Sequence, residues 1–326
     1  MSTKEAVLQA LESCSGQYLS GEELSTRLDV SRTTIWKVIK ALREEGHIIE
    51  AVTNNGYMLM HNNRLITESG VRRGLSAANK DIDIHVFDAV DSTNIEARRL
   101  ALDGAGDGTL VVTGHQTAGR GRLGRSFYSP REGIYLSIII KPNFDVSKSV
   151  LITCAAAVAV AEAIKEVAGL DARIKWVNDV YIDNRKVCGI LTEGISDFES
   201  GQIESLVIGI GVNTDVSNFP EELKNIAGAV EGDYSASELA GAIASKVIDY
   251  ARNMEARTFI DAYRSMNLVI GKRVTVYKGK YKVKPEDEID GIPATVENID
   301  NNGKLVVVYD DGSKEVLGSG EITIRL

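Results

Sequence analysis

The chain has little with which to build a metal centre, a disulfide framework or a membrane span. Its three cysteines, Cys14, Cys154 and Cys188, are scattered and match neither a disulfide framework nor a zinc-ligand pattern. Its four histidines, His47, His61, His85 and His115, are equally dispersed, which argues against a transition-metal site. No Gly-Lys-Ser/Thr closes a phosphate loop of the Walker type, and no Ser-His or Cys-His pairing marks a nucleophile. The longest apolar tract, residues 150–164, is alanine-rich and interrupted by Glu162, so it predicts a buried helix, not a span. Met1-Ser2-Thr3-Lys4-Glu5 lacks the apolar core of a secretory signal, and a cytoplasmic, reduced protein is expected. What remains is a globular composition, 44% hydrophobic and 25% charged, in 326 residues, room for two or three cores.

Against a net charge of −9, one segment stands out. Gly119-Arg120-Gly121-Arg122-Leu123-Gly124-Arg125 holds three arginines, three glycines and no acid. Glycines let backbone N–H groups approach a ligand, and guanidinium forks pair with carboxylate or phosphate. The segment predicts an anion trap; a solvated surface loop is the plainer reading. Its formal Gly-x-Gly-x-x-Gly is not a dinucleotide fingerprint, because that motif opens a helix. Here the loop leads into Gly133-Ile134-Tyr135-Leu136-Ser137-Ile138-Ile139-Ile140, a β-rich run.

The first sixty residues read as a DNA-binding module. Short amphipathic helices fit Val7 to Leu11 and Gly21 to Leu28, and a third follows the N-cap Ser31 with Ile35, Val38, Ile39 and Leu42 on one stripe. The opposite face carries Arg32, Thr33, Thr34, Lys37 and Lys40, as in the recognition helix of a helix-turn-helix. Strands at 47–52 and 57–60 around Thr53-Asn54-Asn55-Gly56 complete a wing. Residues 1–64 hold seven Lys/Arg against eight Asp/Glu, which lends partial support to the alternative of a small helical dimerisation or regulatory module. Residues 32–43, with four basic side chains and no acid, favour phosphate contacts.

From 65 to 270 strands and helices alternate, predicting an α/β catalytic layer. Four constellations fall at its strand ends. Ser92-Thr93-Asn94 opens a helix, as cap or as ligand contact. Gln116 precedes the arginine-glycine loop. Asn178-Asp179 ends the strand Lys175-Trp176-Val177, either as a turn or as a holder of Mg²⁺ or a ribose hydroxyl. Lys186 opens an apolar strand, pointing into a site or lying on an exposed edge. Short strands at 273–277, 292–296, 305–309 and 322–326 predict a small β-barrel, and the charged stretch 278–290 reads as a solvated hairpin.

Taken together, Asp91-Ser92-Thr93-Asn94, Gly114 to Arg125, Lys175 to Asp179, Arg185 to Leu191 and Gly209-Ile210-Gly211-Val212-Asn213 resemble the signature segments of biotin protein ligases. With a winged helix-turn-helix in front, the chain resembles the bifunctional members that also repress biotin-synthesis genes. The resemblance implies an α+β multidomain protein: a DNA-binding domain at 1–64, a mixed α/β ligase domain of class II aminoacyl-tRNA synthetase-like fold at 65–270, and an SH3-like β-barrel at 271–326.

It also implies that biotin and MgATP form biotinyl-AMP, whose acyl group passes to a lysine of a carboxyl carrier protein domain. Ser92, Thr93, Asn94, Gln116, Gly121 and Lys186 would contact biotin. Arg120 and Arg122 would bind the carboxylate-phosphate region. Arg122, Arg125, Asn178, Asp179 and Asn213 would line the nucleotide side, with Mg²⁺ near Asp179. Arg120, Arg122, Asp179 and Lys186 would carry the catalysis. Biotinyl-AMP would promote a homodimer that binds operator DNA. A biotin-sensing repressor without ligase activity and a lipoate or other acyl-carboxylate ligase are the alternatives. Val177 stands where many relatives carry proline, predicting a looser turn. Phe127 stands where tryptophan is common, predicting weaker stacking on ligand.

Overall fold

The computed structural model describes residues 2–142, 144, 149–196, 203–277, 291–318 and 321–324. Three helices open it, α1 Thr3–Ser13, α2 Gly21–Leu28 and α3 Arg32–Glu44, each started by a serine whose hydroxyl accepts a backbone N–H: Ser2, Ser20 and Ser31. Asp29, left-handed at φ 51°, turns the chain from α2 into α3. Val7, Leu11, Leu24, Ile35, Ile39 and Leu42 are buried between these helices and the hairpin β1 Ile49–Val52 and β2 Gly56–Leu59, so this unit has its own core.

Its link to the rest of the chain is polar. Glu12 of α1, buried, accepts from Thr67 Oγ1 at 2.5 Å, from the Ser69 hydroxyl and from Arg73 Nη1 at 3.0 Å. Thr67 caps α4 Glu68–Gly74, and Arg73 also reaches Glu238 Oε1 at 3.0 Å.

A seven-stranded sheet organises the centre. Its strands are β3 Ile84–Phe87, β4 Leu110–Thr113, β5 Ile134–Ile140, β6 Arg173–Lys175, β7 Asp179–Ile182, β8 Arg185–Ser196 and β9 Ile203–Val212. They run in the order β3-β4-β5-β9-β8-β7-β6, antiparallel throughout except for the parallel pair β3–β4. Side chains alternate between the two faces. Ile134, Leu136, Ile138, Ile208 and Ile210 join the large core with the alanine-rich α6 Ser149–Ala168 and with α8 Ala236–Arg252. Val111, Ile139, Val207 and Ile195 pack in a smaller cluster with Ala97 of α5 Thr93–Leu102. Gly189, Leu191, Gly209 and Gly211 of that second face line a cavity.

Two short helices, α7 Glu221–Lys224 and α9 Ile260–Met266, precede the C-terminal strands. These are β10 Arg273–Tyr277, β11 Ile292–Ile299, β12 Leu305–Tyr309, β13 Lys314–Leu317 and β14 Glu321–Ile324. Among the described residues the strands form a five-stranded antiparallel sheet in the order β13-β12-β11-β10-β14. The sequence reading missed β13, whose half-exposed residues carry no apolar alternation. Val274, Val276, Ala294, Val296 and Val307 merge into the large core, so this sheet packs onto the central layer. The charged stretch 278–290 and the terminal Arg325-Leu326 lie outside the described residues. Among the described residues, no helix is long and apolar enough to cross a membrane.

Candidate active site

Residues distant in sequence meet around a cavity of about 440 Å³ on the α5 face of the sheet. Ser92, Thr93 and Asn94 line it from the first turn of α5, Gln116 from the loop after β4, and Arg120, Gly121, Arg122 and Arg125 from the arginine-glycine loop. Asn178, Asp179 and Lys186 close it from the β6–β7 turn and the β7–β8 hairpin. Of the residues expected to touch ligand, only Asn213 is absent from the lining. It lies behind the wall, where its Nδ2 donates to Gly228 O at 3.1 Å and to Lys186 O at 3.4 Å.

The polar end is built on α5. Ser92 occupies the N-cap position without a side-chain cap bond, which leaves its hydroxyl to the cavity it lines. Gln116 Oε1 accepts the Thr93 N–H at 2.8 Å, and Gln116 Nε2 donates to Ser129 Oγ at 3.0 Å. Asn94 Nδ2 donates to Glu193 Oε2 at 2.6 Å, and Ser137 Oγ lies 2.7 Å from Asn94 Oδ1 and 2.8 Å from Thr93 Oγ1. Ser137 and Glu193 were missed in the sequence reading, since each sits inside an apolar strand with no local motif.

The floor is glycine. A Cβ at Gly209 would stand 2.0 Å from Asn94 Oδ1, and one at Gly211 would stand 2.5 Å from the Phe127 ring. The sheet thus admits Phe127 against its backbone, with Tyr135 edge-on at a centroid distance of 6.4 Å. Phe127 is a wall of the cavity, set on glycine. The alternation of Gly209 and Gly211 along one strand is the signal that marks this floor in sequence.

The charged end is the arginine-glycine loop facing the β7–β8 hairpin. The loop folds on itself: Gly121 N donates to Arg125 O at 2.8 Å and Phe127 N to Gly119 O at 2.9 Å. Leu123 and Gly124, at φ 59° and 78°, form the reversal. Arg122 Nη1 donates to Asn178 Oδ1 at 3.0 Å, tying the loop to the opposite wall. Lys186 Nζ lies 2.7 Å from Asp179 Oδ1, both side chains only partly exposed. A bulge between Val180 and Tyr181 shifts the hairpin register that brings them together. The expected loosening at Val177 is offset by clasps on either side: Trp176 Nε1 donates to Gly303 O at 2.9 Å and Tyr263 Oη to Val177 O at 3.0 Å.

Beneath the site, burial pushes the Cys188 thiol up, and that of Cys154 up to about 12, so neither is a nucleophile near neutral pH. Iodoacetamide applied to the folded protein at pH 8 is therefore expected to label only Cys14, which is partly exposed. Peptide mapping that found Cys188 alkylated as fast as Cys14 would contradict a closed floor.

A second candidate surface is α3. Arg32, Thr33, Lys37 and Lys40 are exposed on it, while Thr34 is half-buried with its N–H on the Ser31 hydroxyl at 3.1 Å. Arg32 is already paired with Glu22 of α2. Between Thr33 and Lys40 the sequence reading passed over Trp36, 55% exposed, with Lys40 Nζ 6.0 Å from its ring centroid. A large aromatic left in water on this face fits a surface that is covered when it works.

Comparison with known proteins covers both parts of the chain. Residues 86–213 match the Biotin/lipoate A/B protein ligase family and residues 3–58 match an HTH domain. The bifunctional ligase/repressor BirA of Bacillus subtilis (strain 168) is 38% identical over 227 residues, covering 69% of either chain. That of Escherichia coli (strain K12) is 26% identical over 321 residues, covering 95% of this chain and 94% of its own. Among solved structures, the biotin protein ligase from Aquifex aeolicus in complex with biotin and ATP aligns with a TM-score of 0.60 and 25% identity, over 74% of this chain and 98% of that one. By sequence and by fold, the chain belongs to the biotin/lipoate A/B protein ligase family and carries a helix-turn-helix domain at its N-terminal side.

Proposed function

We infer that the protein is an ATP-dependent biotin protein ligase and a repressor that binds operator DNA. The observation that carries the first half is the cavity: a polar end on α5, a glycine floor and an aromatic wall, and a mouth of guanidinium and ammonium groups. A neutral ring held by hydrogen bonds and a carboxylate held beside a triphosphate need such an arrangement. The relatives named above as ligase/repressor, and the structure described with biotin and ATP, support the same reading.

In the first step a biotin carboxylate oxygen bonds to the α-phosphorus of ATP as the bond to pyrophosphate breaks. Ser92, Thr93, Asn94 and Gln116 hold the ring. Arg120, Gly121, Arg122 and Lys186 hold the carboxylate against the α-phosphate and balance the charge that develops on its oxygens. Arg125, Asn178 and Asp179 form the nucleotide side, while Asn213 acts through the carbonyl of Lys186. In the second step the amine of a carrier-domain lysine bonds to the acyl carbon, AMP leaves and the amine loses a proton.

Magnesium with ATP typically uses one or two carboxylates plus phosphate oxygens. Asp179 offers one such carboxylate in the cavity wall, and no cluster of three ligating side chains exists among the described residues. That donor set fits an ion delivered with the nucleotide, held by Asp179 and neutralising phosphate charge. We assign the rest of the reading in the same way: domains at 1–64, 65–270 and 271–326, a C-terminal sheet of the SH3-like barrel kind, and a homodimer formed with biotinyl-AMP.

Pyrophosphate release is expected when biotin and MgATP are supplied together, with biotinyl-AMP detected by mass. Release with lipoate but not biotin would point to the sister chemistry, and none with either acid would leave a sensor. For the DNA face, Lys37→Ala is expected to weaken operator binding at every sequence and to lower the salt slope by about 1, as for the loss of one phosphate contact. An unchanged slope would take Lys37 out of the interface.

A further inference from the structure

We propose that Tyr263 of α9, which lies outside the cavity lining, is a positioning residue for the nucleotide side: through the carbonyl of Val177 it sets where Asn178 and Asp179 stand. The proposal rests on the biotin-ligase reading and extends it to a helix that touches no ligand.

Asn178 and Asp179 reach the cavity from a tight reversal. Lys175 of β6 pairs with Asp179 of β7, so Trp176, Val177 and Asn178 make the whole connection between the two strands. The strands are three and four residues long, and β6 is the outermost of the seven-stranded sheet. A hairpin this short is marginal alone, and its place comes from what holds it.

Each of the three turn residues is held by a different part of the chain. Trp176 Nε1 donates to Gly303 O at 2.9 Å, in the turn between β11 and β12. Tyr263 Oη donates to Val177 O at 3.0 Å. Asn178 Nδ2 donates to Ile190 O at 2.9 Å, and Asn178 O accepts from Ile190 N at 3.0 Å, both on β8.

The first two grips converge on α9. Next to Tyr263, Arg264 Nε donates to Ile299 O at 2.8 Å and Arg264 Nη2 to Asn301 Oδ1 at 2.6 Å, which holds the turn that carries Gly303. Beyond the helix, Leu268 N donates to Ile174 O at 2.8 Å, so the segment leaving α9 lies along β6.

Burial gives the Tyr263 bond its weight. Tyr263 is fully buried and Val177 nearly so, and loss of the hydroxyl strips the Val177 carbonyl of this donor where water does not replace it. The turn relieves that loss by shifting, and Asn178 and Asp179, one and two residues on, shift with it. Both belong to the nucleotide side of the cavity. The polar end on α5 and the glycine floor on β9 stand on other elements and keep their places. A defect that begins at Tyr263 therefore reaches the nucleotide and spares the ring of biotin.

Tyr263→Phe keeps the aromatic ring and removes only the hydroxyl. In the full chain, with pyrophosphate release read against each substrate, it is expected to raise the KM for ATP about tenfold and to leave the KM for biotin within about threefold of the parent. A Tyr263→Phe protein with a lower melting temperature and the parental KM for ATP overturns the proposal, since the hydroxyl would then serve stability alone. A rise of both KM values by the same factor overturns it too, as a general loosening of the cavity. Should Tyr263→Phe not fold, Arg264→Ala frees the Gly303 turn from the same helix and must raise the KM for ATP alone; a parental value there overturns the proposal. A parental protein that forms no biotinyl-AMP from biotin and MgATP defeats the ligase reading instead, which keeps the two failures apart.

Discussion

Lys186→Ala is expected to lower biotinyl-AMP formation by about 10²- to 10³-fold while leaving the protein folded, the usual effect of removing one charge-stabilising group from a transition state. Lys186 is the ammonium nearest the Asp179 carboxylate in the cavity wall, at 2.7 Å, and it stands at the start of β8 on a side chain that water still reaches. Its removal takes positive charge away from the place where phosphate oxygens gain negative charge. It also leaves Asp179 without its counter-ion, which repels a triphosphate. The loss should therefore fall on kcat and on ATP use together. Single-turnover formation of biotinyl-AMP, with circular dichroism on the same samples, decides it: an adenylation rate equal to the parent's removes Lys186 from the chemistry.

Gly211→Val tests the floor. The added Cβ would lie 2.5 Å from Phe127 Cε1, and β9 is paired on both sides, so the backbone has no easy way to yield. Phe127 must leave, and with it the loop segment whose hydrogen bond to Gly119 closes the arginine-glycine turn. Overpacking of this kind costs about 1–3 kcal/mol of stability. The loss of biotin affinity is expected to be larger, about 100-fold or more, equal to about 2.7 kcal/mol. Calorimetric titration with biotin, alongside a melting curve, separates the two effects. Parental affinity in Gly211→Val would mean that the ligand does not depend on where Phe127 stands.

The parts of the site legible in sequence were those that announce themselves locally. An arginine-glycine run with no acid in it has few structural uses, and it does form the mouth of the cavity. Ser92-Thr93-Asn94 at a helix start allowed two readings, and the absence of a side-chain cap bond on Ser92 favours the ligand. Lys186 opening a strand was equally ambiguous until the bulge at Val180 and Tyr181 put it beside Asp179. Asn213, carried over with its motif, turned out to brace the strand of Lys186 from behind.

Sequence by itself determined the helices of the DNA-binding unit, the strand and helix succession of the centre and the identity of most polar and charged cavity residues. It could do so because capping serines, 3.6-residue stripes and clustered charge act over a few residues. Only the tertiary structure decided the order of the strands in the sheets and the places of Ser137 and Glu193 beside Asn94. Those depend on which side chain stands opposite which across β5, β8 and β9 and over α5, and pairing between strands far apart in the chain leaves no mark in the local sequence.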